Sequence, residues 1–553
     1  STLKDFRYSW PKKIIISLSD KSLSNTIKLF FLSLLVNADI LLWKNKLTSF
    51  ALTLKLNTFS PEAVLNYFST LWTIQPTLAA LVYPIVIGFI SVLLQSRHSA
   101  KARLRIYLTD SAAVLTGLSS LFLVVSMAIQ YMLIVKVHGG VLIGWILVDS
   151  IWFVCNCFGT IYFLYRTFEF LRPDIQNQII AKYAVNVAWP EQIKRSLKFN
   201  FFYGAQDYGI LPGPIFGKDE IKKEPHILLH PLFSDYGSPV VMKNLKSPRE
   251  LVDVRFKILN WTSNNWLKRA RSQNSESDLR LIFPLIPGET YKNEITLCRQ
   301  EGNVSLLWWE KIFIRYSFVL RKKKNSGFAK TEEIFEDIQS DILTKINNRN
   351  LQAFKEDLGL FLDLHVILIN AGVFKNDLGE IDNYANLADP QDFFERSISH
   401  KWARFYADIF SSCISLLNDN AEYFEHAAYI PKRLFNDCRE NNIKTVLEYF
   451  IKLPSLLFIR LGMWWAKVAE ERGEYIHDFC MPVILKPPYY SKYYSALKTF
   501  VGAWEGLGKS IFHLDRSKVY SWKELTFNGD LFEMHLKQTA YMLCECSARG
   551  DKD

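Results

Sequence analysis

The stretch SAAVLTGLSSLFLVVSMAIQYMLIV, residues 111–135, decides the fold class of this chain. It lies between Asp110 and Lys136 and contains no charged side chain. An α-helix rises about 1.5 Å per residue, so this run is long enough to cross the hydrocarbon core of a bilayer, which is about 30 Å thick. The sequence therefore predicts a transmembrane helix over these residues.

Two segments that precede this stretch are also apolar. Residues 71–94 carry no charge, and Pro76 and Pro84 inside them predict a bent helix. Residues 29–43, LFFLSLLVNADILLW, are shorter and contain Asp39, so they predict either a weak further span or a helix that lies in the membrane interface. Three or four spans per chain are therefore expected.

Residues 137–165 form the last apolar segment, and Asp149, close to its middle, is the one permanently charged side chain in it. The connection to residues 111–135 is so short that the two segments must be antiparallel neighbours in a helix hairpin. An acid at mid-membrane costs about 2.5–3.5 kcal/mol on insertion scales, so it needs a compensating environment. Asp149 is therefore expected either to be functional or to have a structural partner.

The distribution of charge predicts the orientation of these spans. Residues 1–165 contain 14 Lys and Arg against 6 Asp and Glu, whereas the rest of the chain is nearly balanced. The pI near 9.0 therefore does not indicate a DNA-binding surface. The loop at residues 97–109 and the N-terminal segment are basic, which predicts that both are cytoplasmic. Residues 166–553 are then cytoplasmic too, and the expected location is a bacterial inner membrane.

Three parts are predicted along the chain. Residues 1–28 form a cytoplasmic N-terminal segment, and residues 29–172 form the transmembrane domain. Residues 173–553 form a large, mostly α-helical cytoplasmic domain with a small β insert, and the RSQNSESD stretch at residues 271–278 is its best linker. The predicted fold class is therefore an α-helical membrane protein, in which a bundle of three or four spans precedes a regulatory or ligand-sensing domain.

One part of the N-terminal third resembles a known family. Residues 77–110, TLAALVYPIVIGFISVLLQSRHSAKARLRIYLTD, run into SAAVLTGLSSLFLVV in the pattern of a span, a basic loop, an acid and a second span. This pattern resembles a family of bacterial predicted membrane proteins of unknown function, which have four spans followed by a soluble tail. The resemblance implies a topology and carries no activity.

Polar residues lie on one face of each helix of the predicted hairpin, at about 100° per residue. If copies of the chain surround a water-filled path, Asp149 would form a charged ring and Leu123 a constriction that gates by dewetting. Alternatively, these faces serve only to pack helices closely, or Asp149 has a structural partner. The predicted pore-lining residues are Thr116, Ser119, Leu123, Ser126, Gln130, His138, Asp149, Asn156 and Thr160.

The sequence gives little support for catalysis. Residues 503–510, AWEGLGKS, satisfy only a permissive phosphate-loop pattern, and too few residues follow for the rest of such a domain. The cysteine pairs are spaced C-x-C and lack the spacing of a structural zinc site. We therefore expect no enzyme activity, no metal and no cofactor.

Mixtures of cations and aromatic rings in the second half of the chain point to a ligand. Such mixtures are suited to the bases and phosphates of a nucleotide or a single-stranded oligonucleotide. Alternatively, the rings belong to the core and the cations to a solvated surface. The predicted ligand-binding residues are Arg255, Lys257, Trp261, Trp266, Lys268, Arg269, Trp308, Trp309, Arg315, Arg321 and Lys322.

These observations together predict an oligomeric channel or membrane-disrupting effector, a homo-oligomer such as a tetramer, in the lipid bilayer. A nucleotide, an oligonucleotide or a partner protein would gate it at the cytoplasmic domain, as in bacterial antiviral systems that couple a sensed nucleotide to membrane leakage. A membrane-anchored scaffold without a pore is the alternative. A membrane-bound NTPase that uses Lys509 and Ser510 is a more remote one.

Overall fold

The computed structural model describes the chain in segments. They are residues 6–20, 22–42, 61–96, 101–133, 139–212, 225–229, 236–272, 279–322, 329–375, 381–388, 397–438, 444–471, 489–517 and 525–548. The chain divides into two compact units. The first consists of Ser1–Trp189 and Ser326–Leu368, and the second of Pro190–Asn325 and Ile369–Asp553.

Four helices of the first unit are long and apolar enough to cross a membrane. They are α2 (Ser22–Leu42), α3 (Pro61–Ser96), α5 (Ala113–Leu133) and α6 (Gly139–Leu171). Residues 29–42 of the segment predicted as a weak span, 29–43, belong to the longer α2, and the last residue of that segment lies outside the described residues. The described residues therefore contain four candidate spans. Helices α5 and α6 pack against each other and against both α2 and α3, which makes the four a bundle.

Shorter helices adjoin these four in the first unit. They are α1 (Trp10–Asp20), α4 (Lys101–Asp110) and α7 (Pro173–Tyr183), which is followed by a π-helical turn at Ala184–Ala188. This turn holds the N-terminal segment, because the Asn186 side chain accepts from the backbone N of Tyr8 at 3.1 Å and donates to the backbone O of Phe6 at 2.6 Å.

Two helices from much later in the chain complete the first unit. They are α11 (Thr331–Asn347) and α12 (Leu351–Ala371), of which residues up to Leu368 belong here. Helix α11 packs against α4, the helix of the basic loop. The domain boundary expected at residue 172 therefore differs from the division in the structure, which groups residues 326–368 with the candidate spans.

A five-stranded sheet forms the first part of the second unit. Its strands are β1 (His226–Leu228), β2 (Ser238–Val254), β3 (Arg280–Ile282), β4 (Thr290–Glu301) and β5 (Phe318–Lys322). Their order is β1-β3-β4-β2-β5, with β1 parallel to β3 and the other pairs antiparallel. The expected small β insert is therefore present.

Three helices accompany this sheet: α8 (Trp189–Tyr203), α9 (Phe256–Ser272) and α10 (Trp308–Ser317). Helices α9 and α10 pack against each other, and α10 also packs on β2. Apolar side chains from the helices and the strands share one core, which includes Leu259, Leu297 and Ile314.

The other described residues of the second unit are mostly helical. They also include a small hairpin of β6 (Val373–Lys375) and β7 (Ile381–Asn383), which precedes a 3-10 turn at Tyr384–Asn386. Four short helices and three longer ones follow. They are α13 (Ile398–Ala403), α14 (Phe405–Ser415), α15 (Glu422–Ala428), α16 (Ile430–Cys438), α17 (Lys444–Glu471), α18 (Tyr489–Ser517) and α19 (Leu525–Ala548).

Candidate functional site

The four-helix bundle has a polar interior, and each candidate span contributes to it. Asn37 on α2, Gln75 on α3, Ser126 on α5 and Asp149 on α6 are all buried. Each has a side-chain oxygen without a hydrogen-bond partner among the described residues. When apolar helices bury their few polar side chains in a shared interior, those side chains do not have to face an apolar environment around the bundle.

Asp149 of α6 is completely buried in this interior. Gln130 on α5 donates from Nε2 to Asp149 Oδ1 at 3.3 Å. The other carboxylate oxygen, Oδ2, has no partner within the described residues. No cation pairs with Asp149 in the part of the chain that the structure describes, so an amide alone faces this acid.

A hydrogen-bonded group occupies another level of the same interface between α5 and α6. Ser119 donates to Asn156 Oδ1 at 2.7 Å and accepts from Trp152 Nε1 at 2.9 Å. Thr116 and Thr160 are also buried on these facing surfaces. Of the predicted pore-lining residues, the structure joins Ser119 to Asn156 and Gln130 to Asp149, and it buries Thr116, Leu123, Ser126 and Thr160. His138 lies outside the described residues.

An apolar cluster interrupts the polar interior. Phe68 and Leu71 of α3 and Leu123 and Met127 of α5 are each at most 4% exposed and pack together. Leu123 lies on α5 between Ser119 and Gln130, so polar groups precede and follow the cluster along the helix. The sequence suggested Leu123 as a constriction, which stays a prediction, and its partners on α3 were not predicted.

The outer surface of the bundle is apolar, in contrast to its polar interior. Large apolar side chains are exposed on every candidate span, for example Leu35, Ile87, Val125, Ile129, Ile151, Phe158 and Ile161. Most of each apolar window remains unburied, with only 20–44% of it inside the structure. In water such a surface would be an aggregation liability, because monomeric soluble proteins rarely expose large contiguous apolar patches.

A second buried acid, Asp110, lies at the end of α4 and has two cationic partners. Lys12 Nζ of α1 lies 2.7 Å from Asp110 Oδ1, and Arg166 of α6 binds Oδ2. Arg166 also pairs with Glu169, and Lys12 also contacts the hydroxyl of Tyr162. Burial lowers the pKa of Lys12 to about 8, although the Asp110 carboxylate opposes this shift.

The basic loop between α3 and α5 docks on an acidic stripe of α11. Arg103 Nη1 lies 2.6 Å from Asp341, and Arg105 Nη1 lies 2.7 Å from Glu333. Asp337 accepts from the backbone N of Ala102 at 2.7 Å and so caps the start of α4. The three acids are spaced four residues apart and therefore share one face of α11.

The predicted ligand-binding residues separate into two groups. Trp266 is completely buried and donates to the backbone O of Val304, and Arg269 pairs with the buried Glu310, so these two residues stabilise the fold. The remaining nine are exposed or half-buried on α9, α10 and β5: Arg255, Lys257, Trp261, Lys268, Trp308, Trp309, Arg315, Arg321 and Lys322.

Several of the exposed rings contact one another. Trp261 of α9 lies 5.2 Å from Trp309 and 5.3 Å from Phe313 between ring centroids. The Arg255 guanidinium lies 3.9 Å from the ring centre of Tyr316. These contacts join α9 and α10 into one aromatic and basic surface.

Neither a phosphate loop nor a metal centre is found in the described residues. Residues 503–510 are inside helix α18, and Lys509 pairs with Glu505 at 2.6 Å. A phosphate loop needs an irregular turn between a strand and a helix, so this geometry does not fit one. No group of three or more His, Cys, Asp or Glu is placed to hold a metal ion within that part of the chain.

Comparison with models of protein families, with curated proteins and with solved structures gives no match for this chain. The resemblance of residues 77–125 to a family of predicted membrane proteins therefore stays a prediction.

Proposed function

We propose that this protein is a membrane channel or membrane-permeabilising effector, and that ions pass through the interior of its four-helix bundle. The observation that carries the proposal is Asp149, a completely buried acid with an amide as its neighbour and one carboxylate oxygen unpaired among the described residues. Such an acid is costly in a membrane, and intramembrane acids commonly mark ion or proton pathways.

Insertion of α2, α3, α5 and α6 into a bilayer is the first element of this proposal. Their exposed surface is apolar and their shared interior is polar, which is the arrangement expected when lipid rather than water surrounds a bundle. Four spans place both ends of the chain on one side. The basic α4 loop favours the cytoplasmic side under the positive-inside rule, and the membrane would be a bacterial inner membrane.

The course of the ion path differs from the one expected from sequence. A ring of Asp149 copies around an oligomer axis needs this acid on a surface that is shared between subunits. Its complete burial inside one bundle favours a path within each subunit instead. Assembly into a homo-oligomer remains part of the proposal, but the path does not depend on it.

The apolar cluster around Leu123 supplies a gate in this proposal. Apolar constrictions in a polar path exclude water and stop ions when they are closed. Opening requires the helices to separate at Leu123 and Leu71, which pack together in the structure. The bundle is therefore proposed to be in its closed state.

Regulation would reach the gate through α11. Its acids Glu333, Asp337 and Asp341 hold α4, and α4 leads through Asp110 directly into α5, the helix that carries Leu123. A ligand or partner protein that moves α11 would therefore also move α5. The proposed ligand is a nucleotide, and the protein would act as a ligand-gated effector in antiviral defence.

The test of conduction uses a variant that does not depend on the ligand. Leu123→Ser places a hydroxyl in the apolar cluster and should keep the gate hydrated, so liposomes that contain it should lose K⁺ faster than wild-type liposomes. Leu121→Ser is the matched control, because Leu121 lies two residues away on the exposed side of α5. Met127→Ser provides a second gate variant in case Leu123→Ser does not fold.

The selectivity of the leak tests the role of Asp149. In the Leu123→Ser background, Asp149→Asn should reduce the preference for K⁺ over Cl⁻, whereas Asp39→Asn should not, because Asp39 is exposed on α2. If folded Leu123→Ser and Met127→Ser leak no more than Leu121→Ser, the channel proposal fails.

A membrane-anchored scaffold is the second candidate function. It is favoured by the hydrogen bonds among Ser119, Trp152 and Asn156, which are typical of helices that pack for stability alone. The scaffold predicts no leak from any of these variants. It also predicts that residues 173–553, attached to an unrelated membrane anchor, retain the biological activity of the full chain.

A further inference from the structure

Four cations of the second unit lie together on one face of the sheet and its helix. They are Lys243 and Arg249 of β2, Arg315 of α10 and Lys322 of β5. Arg249 and Lys322 are directly opposite each other in the register of β2 and β5. Burial lowers the pKa of Lys243, and the nearby charges of Arg249 and Arg315 lower it further. We refer to these four residues as the cation cluster.

None of these four cations pairs with an acid in the part of the chain that the structure describes, and the Nε atom of Arg249 is buried without a hydrogen-bond partner there. Like charges directly opposite each other destabilise a strand pair. By contrast, two other cations of this unit have acidic partners, since Arg269 pairs with Glu310 and Arg280 pairs with Glu301. The cation cluster thus brings four positive charges together without a counter-charge among the described residues.

The acid next to Arg249 in β2 lies on the opposite face of the sheet. Glu250 follows Arg249 in β2 and is paired in register with Arg321, and successive residues of a strand point to opposite faces. Helix α9 contains no acid, and the one acid of α10, Glu310, is buried. An anion from outside the chain would therefore meet four cations and no competing carboxylate from these elements.

Aromatic surface adjoins the cation cluster on α10. Trp308 and Arg315 are seven residues apart, so they lie on the same side of the helix. Trp308 is 74% exposed, and Ile312 and Tyr316 continue its apolar surface along the helix. An exposed ring about two helical turns from Arg315, roughly 10 Å along the axis, is placed to stack on one base of a strand whose phosphates meet the cations.

We infer that Lys243, Arg249, Arg315 and Lys322 bind the phosphate groups of a nucleotide or of a short single strand, and that Trp308 stacks on a base. This inference rests on the ligand-gated regulation proposed above and specifies the class of ligand. Binding is measured without conduction, so this inference and the channel proposal can fail separately.

The test measures binding of a fluorescein-labelled single-stranded thymidine decamer to the full-length protein in neutral detergent. Arg249→Gln combined with Arg315→Gln should weaken binding at least tenfold and flatten its dependence on salt, because fewer phosphate contacts release fewer counterions. Trp308→Ala should weaken binding severalfold with an unchanged salt slope. Lys509→Gln, at an exposed lysine paired with Glu505, should bind like the wild type.

A fold control accompanies these variants. If the cation cluster is maintained for a ligand, Arg249→Gln should leave the melting temperature unchanged or raise it, since it relieves repulsion from Lys322. Arg249→Lys should retain most of the binding. Loss of melting temperature in Arg249→Gln would indicate a structural role and overturn the inference.

The source of the phosphate is tested by competition with the labelled strand. Unlabelled thymidine decamer should displace the probe, whereas water-soluble dihexanoyl phosphatidylserine should not. Displacement by the lipid alone would contradict the inference and would assign this face to a bilayer surface. Absence of any binding by the wild type at low salt would also contradict it.

Discussion

Two buried aspartates of the same helix bundle have opposite surroundings. Asp110, at the end of α4, is 1% exposed and is neutralised by Lys12 and Arg166. Asp149, inside the bundle, is 0% exposed and has only the Gln130 amide as a hydrogen-bond partner among the described residues. The described residues therefore supply two cations for one acid and none for the other.

This difference indicates which of the two acids stabilises the folded protein. A buried charge is tolerated when a partner of opposite sign and further hydrogen bonds compensate for its lost hydration. Asp110 meets this condition and connects α1, α4 and α6. Asp149 has no such partner among the described residues, so its carboxylate is not expected to stabilise the fold. In our account its role is ion passage.

The largest expected effect is on the stability of Asp110 variants. Asp110→Asn removes the carboxylate shared by Lys12 and Arg166, which are largely shielded from water, while Arg166 keeps Glu169 as a partner. The variant should therefore lower the free energy of unfolding by about 3 kcal/mol. Thermal unfolding in detergent, followed by tryptophan fluorescence, measures this loss. Asp149→Asn is the paired control and should unfold at or above the wild-type temperature. Equal losses in both variants would remove the distinction between the two acids.

The second effect concerns the contact between Arg103 and Asp341, which lies between α4 and α11. Asp341→Asn should cost about 2–3 kcal/mol, because a buried hydrogen bond to a charged group is weakened and Arg103 loses its counter-charge. Arg103→Met combined with Asp341→Leu should recover part of this loss. A double-mutant cycle measures the coupling, and additive losses would mean that the two side chains act independently.

The third effect concerns the loss of folding stability at acidic pH. Burial lowers the pKa of His365 in α12 from 6.5 to about 3. Between these values the unfolded chain binds a proton that the folded chain does not, so stability falls as the pH falls. The slope is about 1.4 kcal/mol per pH unit below pH 6.5. His365→Leu should reduce this slope in denaturant unfolding measured at pH 7.0 and 5.5, and an unchanged slope would assign the acid sensitivity to other groups.

The smallest effect is expected at Ala112, two residues after Asp110. Its φ of +55° is in the left-handed region, which carries a steric cost for any residue with a Cβ atom. Ala112→Gly should therefore raise the free energy of unfolding by about 0.5–1 kcal/mol, even though glycine increases the entropy of the unfolded chain. A lower melting temperature would indicate that the methyl group contributes more by packing than the backbone loses by strain.

The sequence predicted the candidate spans because runs without charge are a local property. It also predicted the shared polar faces of α5 and α6, since a helical period of about 3.6 residues can be read from a single segment. The antiparallel hairpin followed from its short connection. The structure adds that α2, predicted as weak, is a helix of 21 residues.

The partners of Asp110 were not predicted, because Lys12 and Arg166 are 98 and 56 residues away in sequence. The acids of α11 left a readable signal, namely three carboxylates spaced four apart, but no local pattern indicates that α4 is their partner. The cation cluster is formed in the same way by register and packing. Conversely, Trp266 and Arg269 were grouped with the ligand residues because composition does not show which side of α9 is buried.

The most direct test of the central claim is the reversal potential of the Leu123→Ser channel in a planar bilayer that separates unequal KCl solutions. Our account predicts a potential close to that of K⁺ when Asp149 is present, and a shift towards zero in the Leu123→Ser, Asp149→Asn double variant. Identical reversal potentials in the two would contradict the claim that ions pass the carboxylate of Asp149.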